Sequence, residues 1–293
     1  MNYKGLRPII QIIEDKCVNC HRCIMVCPVK MCNNGSGNVV TFHSELCIGC
    51  GACINACMHG ARIGVDDFDQ FIQDVKAKIN MVAIVAPAIA VSFGGEYLRF
   101  NGFLKKLGVK AVFDVSFGAE LTVKSYLNYQ KKKKPPMIIA QPCPTLVSFI
   151  EMYRPELIPF LAPADSPMLH TMKMIKRYFP QYAGCKFVAV SPCYSKRREF
   201  DATGFGDYNV TFKSFQQYLE DTHDRIEKYE PAAYDGPQAE RAVLFSTPGG
   251  LMRTVERYIA DVTAKTRKIE GSPEVYHYLA HLGRSMENRE PPG

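Results

Sequence analysis

The sequence predicts a small α+β unit over residues 1–78, followed by a larger α/β unit over residues 79–293 whose mostly parallel sheet is flanked by helices. Two observations predict it. Nine of the twelve cysteines fall within residues 17–57, which calls for a local, metal-organised unit. Farther along, short apolar runs alternate with amphipathic stretches of helical length, the pattern of right-handed βαβ units. With 293 residues and 47% apolar content, the chain can bury a sizeable core in the second unit.

The cysteines form two arrays, Cys17-x2-Cys20-x2-Cys23-x3-Cys27-Pro28 and Cys47-x2-Cys50-x2-Cys53-x3-Cys57-Met58, offset by 30 residues, so one cluster-binding unit is repeated. The spacing suits a [4Fe–4S] cube. A tight loop wraps three thiolates around one cluster while its amides face the sulfides. The fourth cysteine is expected to open the following helix and reach the neighbouring cluster. This assigns Cys17, Cys20, Cys23 and Cys57 to one [4Fe–4S] cluster and Cys47, Cys50, Cys53 and Cys27 to a second. Gly49 and Gly51 suit a backbone that approaches a cluster closely. Four-cysteine zinc is the competing reading, and spacings of two, two and three, repeated, with proline after the first set, fit it poorly. Cys32 lies outside both arrays and reads as a small buried hydrophobe. The unit resembles a bacterial two-cluster ferredoxin; Met58 replaces the proline expected after the second array, at a position that is not a ligand.

Clustered thiols in a chain expected to stay in a reducing, cytoplasmic compartment point to metal rather than disulfides. The first fourteen residues are interrupted by Pro8 and Gln11, too broken for a secretory signal. The longest apolar run, 81–93, contains Pro87 and Ser92 and is too short to span a bilayer. The net charge of +7 (36 basic against 29 acidic residues) decides neither a nucleic acid nor an acidic protein as partner. The sequence has no Gly-rich phosphate loop and no helix-turn-helix signal.

In the second unit the candidate strands are 81–86, 111–115, 137–140, 186–190 and 242–245, with helices that include 120–131, 166–177 and 251–260. The strands run into Pro87, Gln141-Pro142-Cys143-Pro144, Ser191-Pro192-Cys193 and Thr247-Pro248-Gly249-Gly250. Proline cannot extend a central strand, so each marks a strand's C-terminal end, the edge where open parallel sheets bind ligands. Cys143, Cys193 and the Gly-Gly turn then share one crevice, or the cysteines are simply buried. Cys185 opens a strand and reads as core.

From about residue 84 to 282 the chain resembles the hydrogen-cluster domain of [FeFe]-hydrogenases. The resemblance rests on Val85-Ala86-Pro87-Ala88, Val112-Phe113-Asp114 continuing to Glu120-Leu121-Thr122, Tyr153-Arg154-Pro155-Glu156-Leu157, and above all Pro192-Cys193-Tyr194-Ser195-Lys196-Arg197-Arg198-Glu199, which carries the family's PCxxKxxE pattern. It implies that Cys143 and Cys193 take the places of two ligands of a [4Fe–4S] cube, one of whose cysteines bridges to a diiron unit. It also implies that Lys196 faces a cyanide of that unit, where a buried anion needs a charged donor; otherwise Lys196 joins Arg197 and Arg198 in an exposed basic patch. The chain looks closest to a branch associated with hydrogen sensing and regulation.

Three departures bear on activity. Pro142 stands where catalytic members carry a proton-relaying cysteine. Ser125 and Tyr126 stand where they carry acidic residues, and fast proton reduction needs positioned acids. No cysteine follows Cys193 before the Pro291-Pro292-Gly293 end, which implies a truncated piece or a domain without its hydrogen cluster, so that a further [4Fe–4S]/diiron group is expected only in an extended chain. The leading expectation is a redox protein with a ferredoxin-like or signalling partner. The alternatives are a piece of a catalytic H2:ferredoxin oxidoreductase and a docking module. The Lys131–Lys134 run reads as a solvated loop or an acidic partner's docking site.

Overall fold

The computed structural model describes residues 7–287, so the opening residues through Leu6 and the Pro-rich end at Pro291-Pro292-Gly293 lie outside the described residues. Among the described residues, no helix is long and apolar enough to cross a membrane.

The first unit is built from two copies of one loop. Strand β1 (Ile10–Ile12) pairs antiparallel with β4 (Arg62–Gly64), and β2 (Asn33–Asn34) with β3 (Thr41–Phe42). Each cysteine array follows a single 3-10 turn, Glu14–Lys16 or Ser44–Leu46, and runs into a short helix, α1 (Arg22–Met25) or α2 (Ala52–Ala56). The backbone turns left-handed twice in each copy, at Asn19 and His21 (φ 50° and 60°) and at Gly49 and Gly51 (φ 80° and 77°). Glycine meets that demand without a Cβ clash, and asparagine tolerates it better than most residues. In one respect the structure corrects the sequence reading. The third cysteines, Cys23 and Cys53, lie within the short helices, and the fourth, Cys27 and Cys57, follow them rather than opening the next helix.

The second unit is a three-layer sandwich. Its four strands, β5 (Met81–Val85), β6 (Ala111–Asp114), β7 (Lys186–Ser191) and β8 (Tyr208–Thr211), are all parallel in the order β6-β5-β7-β8. All of β5 is buried, as expected for a strand covered on both faces. One face carries Met81, Ala83, Val85, Val188 and Val210 against α3 (Phe68–Lys76), α5 (Tyr97–Leu107) and α10 (Phe212–Asp221). Phe215 anchors this layer, edge-on to Phe68, Phe71, Phe100 and Phe103. The other face carries Val82, Ile84, Phe113 and Ala189 against α6 (Val115–Lys133), α8 (Pro167–Tyr178) and α9 (Lys196–Thr203). A short α4 (Ile89–Phe93) follows β5, and α7 (Pro144–Tyr153), α11 (Gly250–Glu256) and α12 (Glu274–Glu287) complete the unit. A further cluster of Phe149, Ile150, Leu157, Tyr276, Leu279 and Leu282 packs around Ile48 of the second cysteine loop.

Two expected strands are absent. Residues 137–140 contribute only an isolated bridge between Ile139 and Leu161, and Ala242–Leu244 is a 3-10 turn. The sheet instead takes Tyr208–Thr211 as its fourth strand. The exposed lysine run is the last turn of α6, where cations face the negative end of the helix dipole, so it is not a loop.

Helices α6 and α8 approach closely at Gly118, where an added Cβ would fall 2.1 Å from the Pro167 carbonyl oxygen and 2.2 Å from Thr171 Oγ1. Gly118→Ala is therefore expected to destabilise the α/β unit by about 1–3 kcal/mol, read as a lowered thermal midpoint by circular dichroism; an unchanged midpoint would show that these helices can part.

Candidate metal centres and the cleft between them

The duplicated loops bring the first proposed set of thiols together. Cys17, Cys20, Cys23 and Cys57, distant in sequence, line one cavity, with Arg62 in its wall. The Val40 N–H points at Cys17 Sγ (3.5 Å), and Arg62 Nη2 points at Cys23 Sγ (3.5 Å) while donating to Asn33 Oδ1 (2.6 Å). Burial disfavours the Cys57 thiolate, yet the N–H groups of Arg62, His59 and Ala61 together hold its thiol below the ordinary value. Arg62 is only 4% exposed, and among the described residues its Nη1 has no partner. A buried cation with an orphaned donor beside four thiols is the complement of an anionic, sulfur-rich group, so these residues fit an iron–sulfur cluster.

In the second set, Cys27, Cys47 and Cys53 are buried and Cys50 is half-buried. The Lys30 and Gly49 N–H groups donate to Cys27 Sγ and Cys47 Sγ, both at 3.2 Å. Cys32, read as a plain hydrophobe, is buried but in sulfur contact with Cys27 (3.6 Å). Hydrogen bonding from Cys32 draws the Cys27 and Cys47 thiols down, while Cys32 itself is driven up. Burial pushes Cys50 up to about 11 and Cys53 up to about 12. Among the described residues no three His, Cys, Asp or Glu side chains converge as a single ion requires.

The second loop is gripped from outside. Four of its carbonyls find donors in the α/β unit. Ser195 Oγ donates to Gly49 O (2.6 Å), Tyr153 Oη to Leu46 O (2.6 Å), and Arg198 to Ser44 O (3.3 Å) and, at short range, to Cys47 O. Thr145 Oγ1 in turn donates to Ser195 Oγ (3.0 Å). Tyr194 lies against Gly64 so tightly that a Cβ there would fall 2.1 Å from the ring.

Between this loop and the C-terminal edge of the sheet lies a cleft of about 510 Å³ lined by Cys50, Cys143, Cys193, Tyr194 and Tyr276. Cys143 is the exposed residue at the N-terminus of α7, and Cys193 follows the end of β7, its carbonyl held by Asn209 Nδ2 (3.0 Å). Burial, reinforced by Cys143 and opposed by Lys196, pushes the Cys193 thiol up to about 11. Cys143 and Cys193 therefore do share a crevice, although only Cys193 follows a strand, and the Gly249-Gly250 turn does not line it. Lys196 is buried with Arg197 and Arg198 rather than forming an exposed patch. Its Nζ donates to Pro142 O (3.2 Å) and Glu199 Oε2 (2.7 Å), behind the cleft wall. Cys143 and Cys193 supply two of the four thiols that a cube takes.

Sequence reasoning missed Tyr153, Ser195 and Arg198 as contacts between the units. All three lie in the segments that carried the family resemblance, but nothing in their spacing shows that they reach residues 44–49.

A family model described as the iron only hydrogenase large subunit, C-terminal domain, matches residues 79–281, and one described as a 4Fe-4S dicluster domain matches residues 9–58. The chain belongs to the iron-only hydrogenase large-subunit family. It is an iron–sulfur protein with a hydrogenase-like domain. It is 28% identical over 67% of its length to the NADP-reducing hydrogenase subunit HndD of Solidesulfovibrio fructosivorans, covering 41% of that protein. Iron hydrogenase 1 of Clostridium pasteurianum is 25% identical over 86% of the chain, which covers 51% of it. The cytosolic Fe-S cluster assembly factor NAR1 of Encephalitozoon cuniculi is 24% identical over 59% of the chain and 48% of that protein. The chain thus spans about half the length of the curated relatives it matches. A solved [FeFe]-hydrogenase, studied for oxygen inactivation of its H cluster, superposes with a TM-score of 0.55 at 22% identity, over 71% of this chain and 61% of that one, and shows the shared fold.

Arg198→Leu removes the donor to the buried Cys47 carbonyl and one of two donors to the part-buried Ser44 carbonyl, which also accepts from the Cys47 N–H. The unpaired Cys47 carbonyl costs about 1–3 kcal/mol, so amides of residues 44–50 are expected to exchange hydrogen about tenfold faster or more, with the sheet amides unchanged. Unchanged exchange in the loop would mean that Arg198 does not hold it.

Proposed function

We propose that the chain is an electron-transfer protein holding two [4Fe–4S] clusters, one on Cys17, Cys20, Cys23 and Cys57 and the other on Cys47, Cys50, Cys53 and Cys27. It would link a redox partner protein, ferredoxin-like or signalling, to the cleft of the hydrogenase-like domain. The observation that carries this reading is Cys50, which belongs to the second set and also lines the cleft with Cys143 and Cys193. Bound clusters supply one-electron chemistry at both places. The chain's own residues hold the thiols, donate N–H groups to sulfur and keep water from the buried second set.

The cleft supports hydrogen sensing or regulation better than fast turnover. Pro142 has no titratable group, and its carbonyl accepts from Lys196. Tyr126 is buried without a partner for its hydroxyl, and burial pushes its phenol above the ordinary value, which opposes proton release. Free thiols throughout the chain suit a reducing, cytoplasmic setting. A second reading, cluster assembly, is favoured by the exposed Cys143 beside Cys50, which an acceptor protein could reach.

Cys20→Ala is expected to lose about half of the iron, one cube of four atoms, and unchanged iron content would refute the first ligand set. Hydrogen uptake or evolution at ordinary hydrogenase rates would overturn the regulatory reading in favour of a catalytic piece. Iron transfer to an apo-ferredoxin would favour assembly.

A further inference from the structure

Arg62 is buried in the first unit, and among the described residues no carboxylate pairs with it. Its side-chain partners among the described residues are the Asn33 amide oxygen at 2.6 Å and the Cys23 sulfur at 3.5 Å, and the Phe42 ring lies 5.0 Å from the guanidinium carbon. Nη1 has none, and the side chain lines the cavity of Cys17, Cys20, Cys23 and Cys57. Guanidinium keeps its proton under all ordinary conditions, so it is a fixed positive charge. A fixed buried charge without a counterion is strongly unfavourable, and here its compensation must come from whatever occupies that cavity.

Among the described residues the second set has no guanidinium hydrogen bond at a sulfur. The Arg62 charge also favours the Cys27 and Cys53 thiolates, but through space alone, and Arg198 directs both terminal nitrogens at the carbonyls of Cys47 and Ser44. The two thiol sets therefore share a loop geometry but differ in electrostatics. One is touched by a cation at sulfur, and the other is served there by neutral groups, the amides of Lys30 and Gly49 and the Cys32 thiol.

We infer that Arg62 is a positioning residue that raises the electron affinity of the cluster on Cys17, Cys20, Cys23 and Cys57, so that a single added electron rests there rather than on the cluster next to the cleft. This rests on the two-cluster reading above. One-electron reduction by an external low-potential donor adds one negative charge and breaks no bond. A charge-assisted N–H···S contact stabilises that added charge more than it stabilises the oxidised form. Cys20, the exposed thiol of this set, places the resting electron at the surface a partner reaches first.

The test is an anaerobic redox titration of the full chain followed by low-temperature electron paramagnetic resonance, for wild type, Arg62→Gln and Arg62→Lys, with Cys20→Ala identifying the first set's signal. In Arg62→Gln the ratio of reduced to oxidised first-set cluster at a fixed potential is expected to fall about tenfold, a shift of about 59 mV for a one-electron couple. The second signal moves less, and Arg62→Lys lies between Gln and wild type, since an ammonium restores the charge but not the fork. Equal midpoints in wild type and Arg62→Gln, or an equal shift of both signals, would overturn the inference. Should Arg62→Gln lose iron, Arg62→Lys decides: a lowered first midpoint supports the role and an unchanged one refutes it. A wild type with a single cluster signal would instead sink the two-cluster reading.

Discussion

Much of this structure depends on how the loop of residues 44–50 divides its backbone groups. The Gly49 amide turns inward to the Cys47 sulfur, and the carbonyls of Ser44, Leu46, Cys47 and Gly49 turn outward. Outward carbonyls buried at an interface must find donors, and Arg198, Tyr153 and Ser195 supply them. The same division that turns N–H groups toward the thiols therefore ties the cysteine-rich unit to the sheet. Ile48, between two of these anchors, seals the contact by packing with Phe149 and Leu157.

The consequence is that the second thiol set is held against the cleft. The first thiol set opens at the surface through Cys20, and the second is buried under the clamp. Cys50 then faces the cleft where β7 and α7 present Cys193 and Cys143. Strand β7 ends before Pro192 and so puts Cys193 at the C-terminal edge of the sheet, where open α/β sheets bind ligands, whereas Cys143 comes there as the cap of α7. Lys196, held by Pro142 and Glu199, braces the wall behind that edge.

The central part of the sheet was legible because β5, β6 and β7 each carry a run of at least three apolar residues, with Pro87 and Pro192 closing β5 and β7. The fourth strand was not, because Tyr208 and Asn209 look polar. Inside the fold their polar atoms are served: Asn209 Nδ2 donates to the Cys193 and Tyr194 carbonyls, and the Tyr208 hydroxyl meets Asp74 and Lys186. Conversely, the apolar residues 242–245 read as a strand. Glu120 of α6 accepts from the N–H groups of Glu240, Arg241 and Ala242 and pins that segment to α6 as a 3-10 turn instead. The cysteine arrays could be read because cluster chemistry constrains spacing along the chain. The clamp and Arg62 could not, because long-range pairing leaves no trace in local spacing.

The central claim is that the duplicated thiol loops hold a pair of cubes. It is tested most directly by iron, acid-labile sulfide and zinc analysis of the chain purified without oxygen, together with low-temperature electron paramagnetic resonance after reduction. The account predicts about eight iron and eight sulfide per chain and two interacting low-potential signals. Colourless protein, or protein carrying zinc without sulfide, would contradict it.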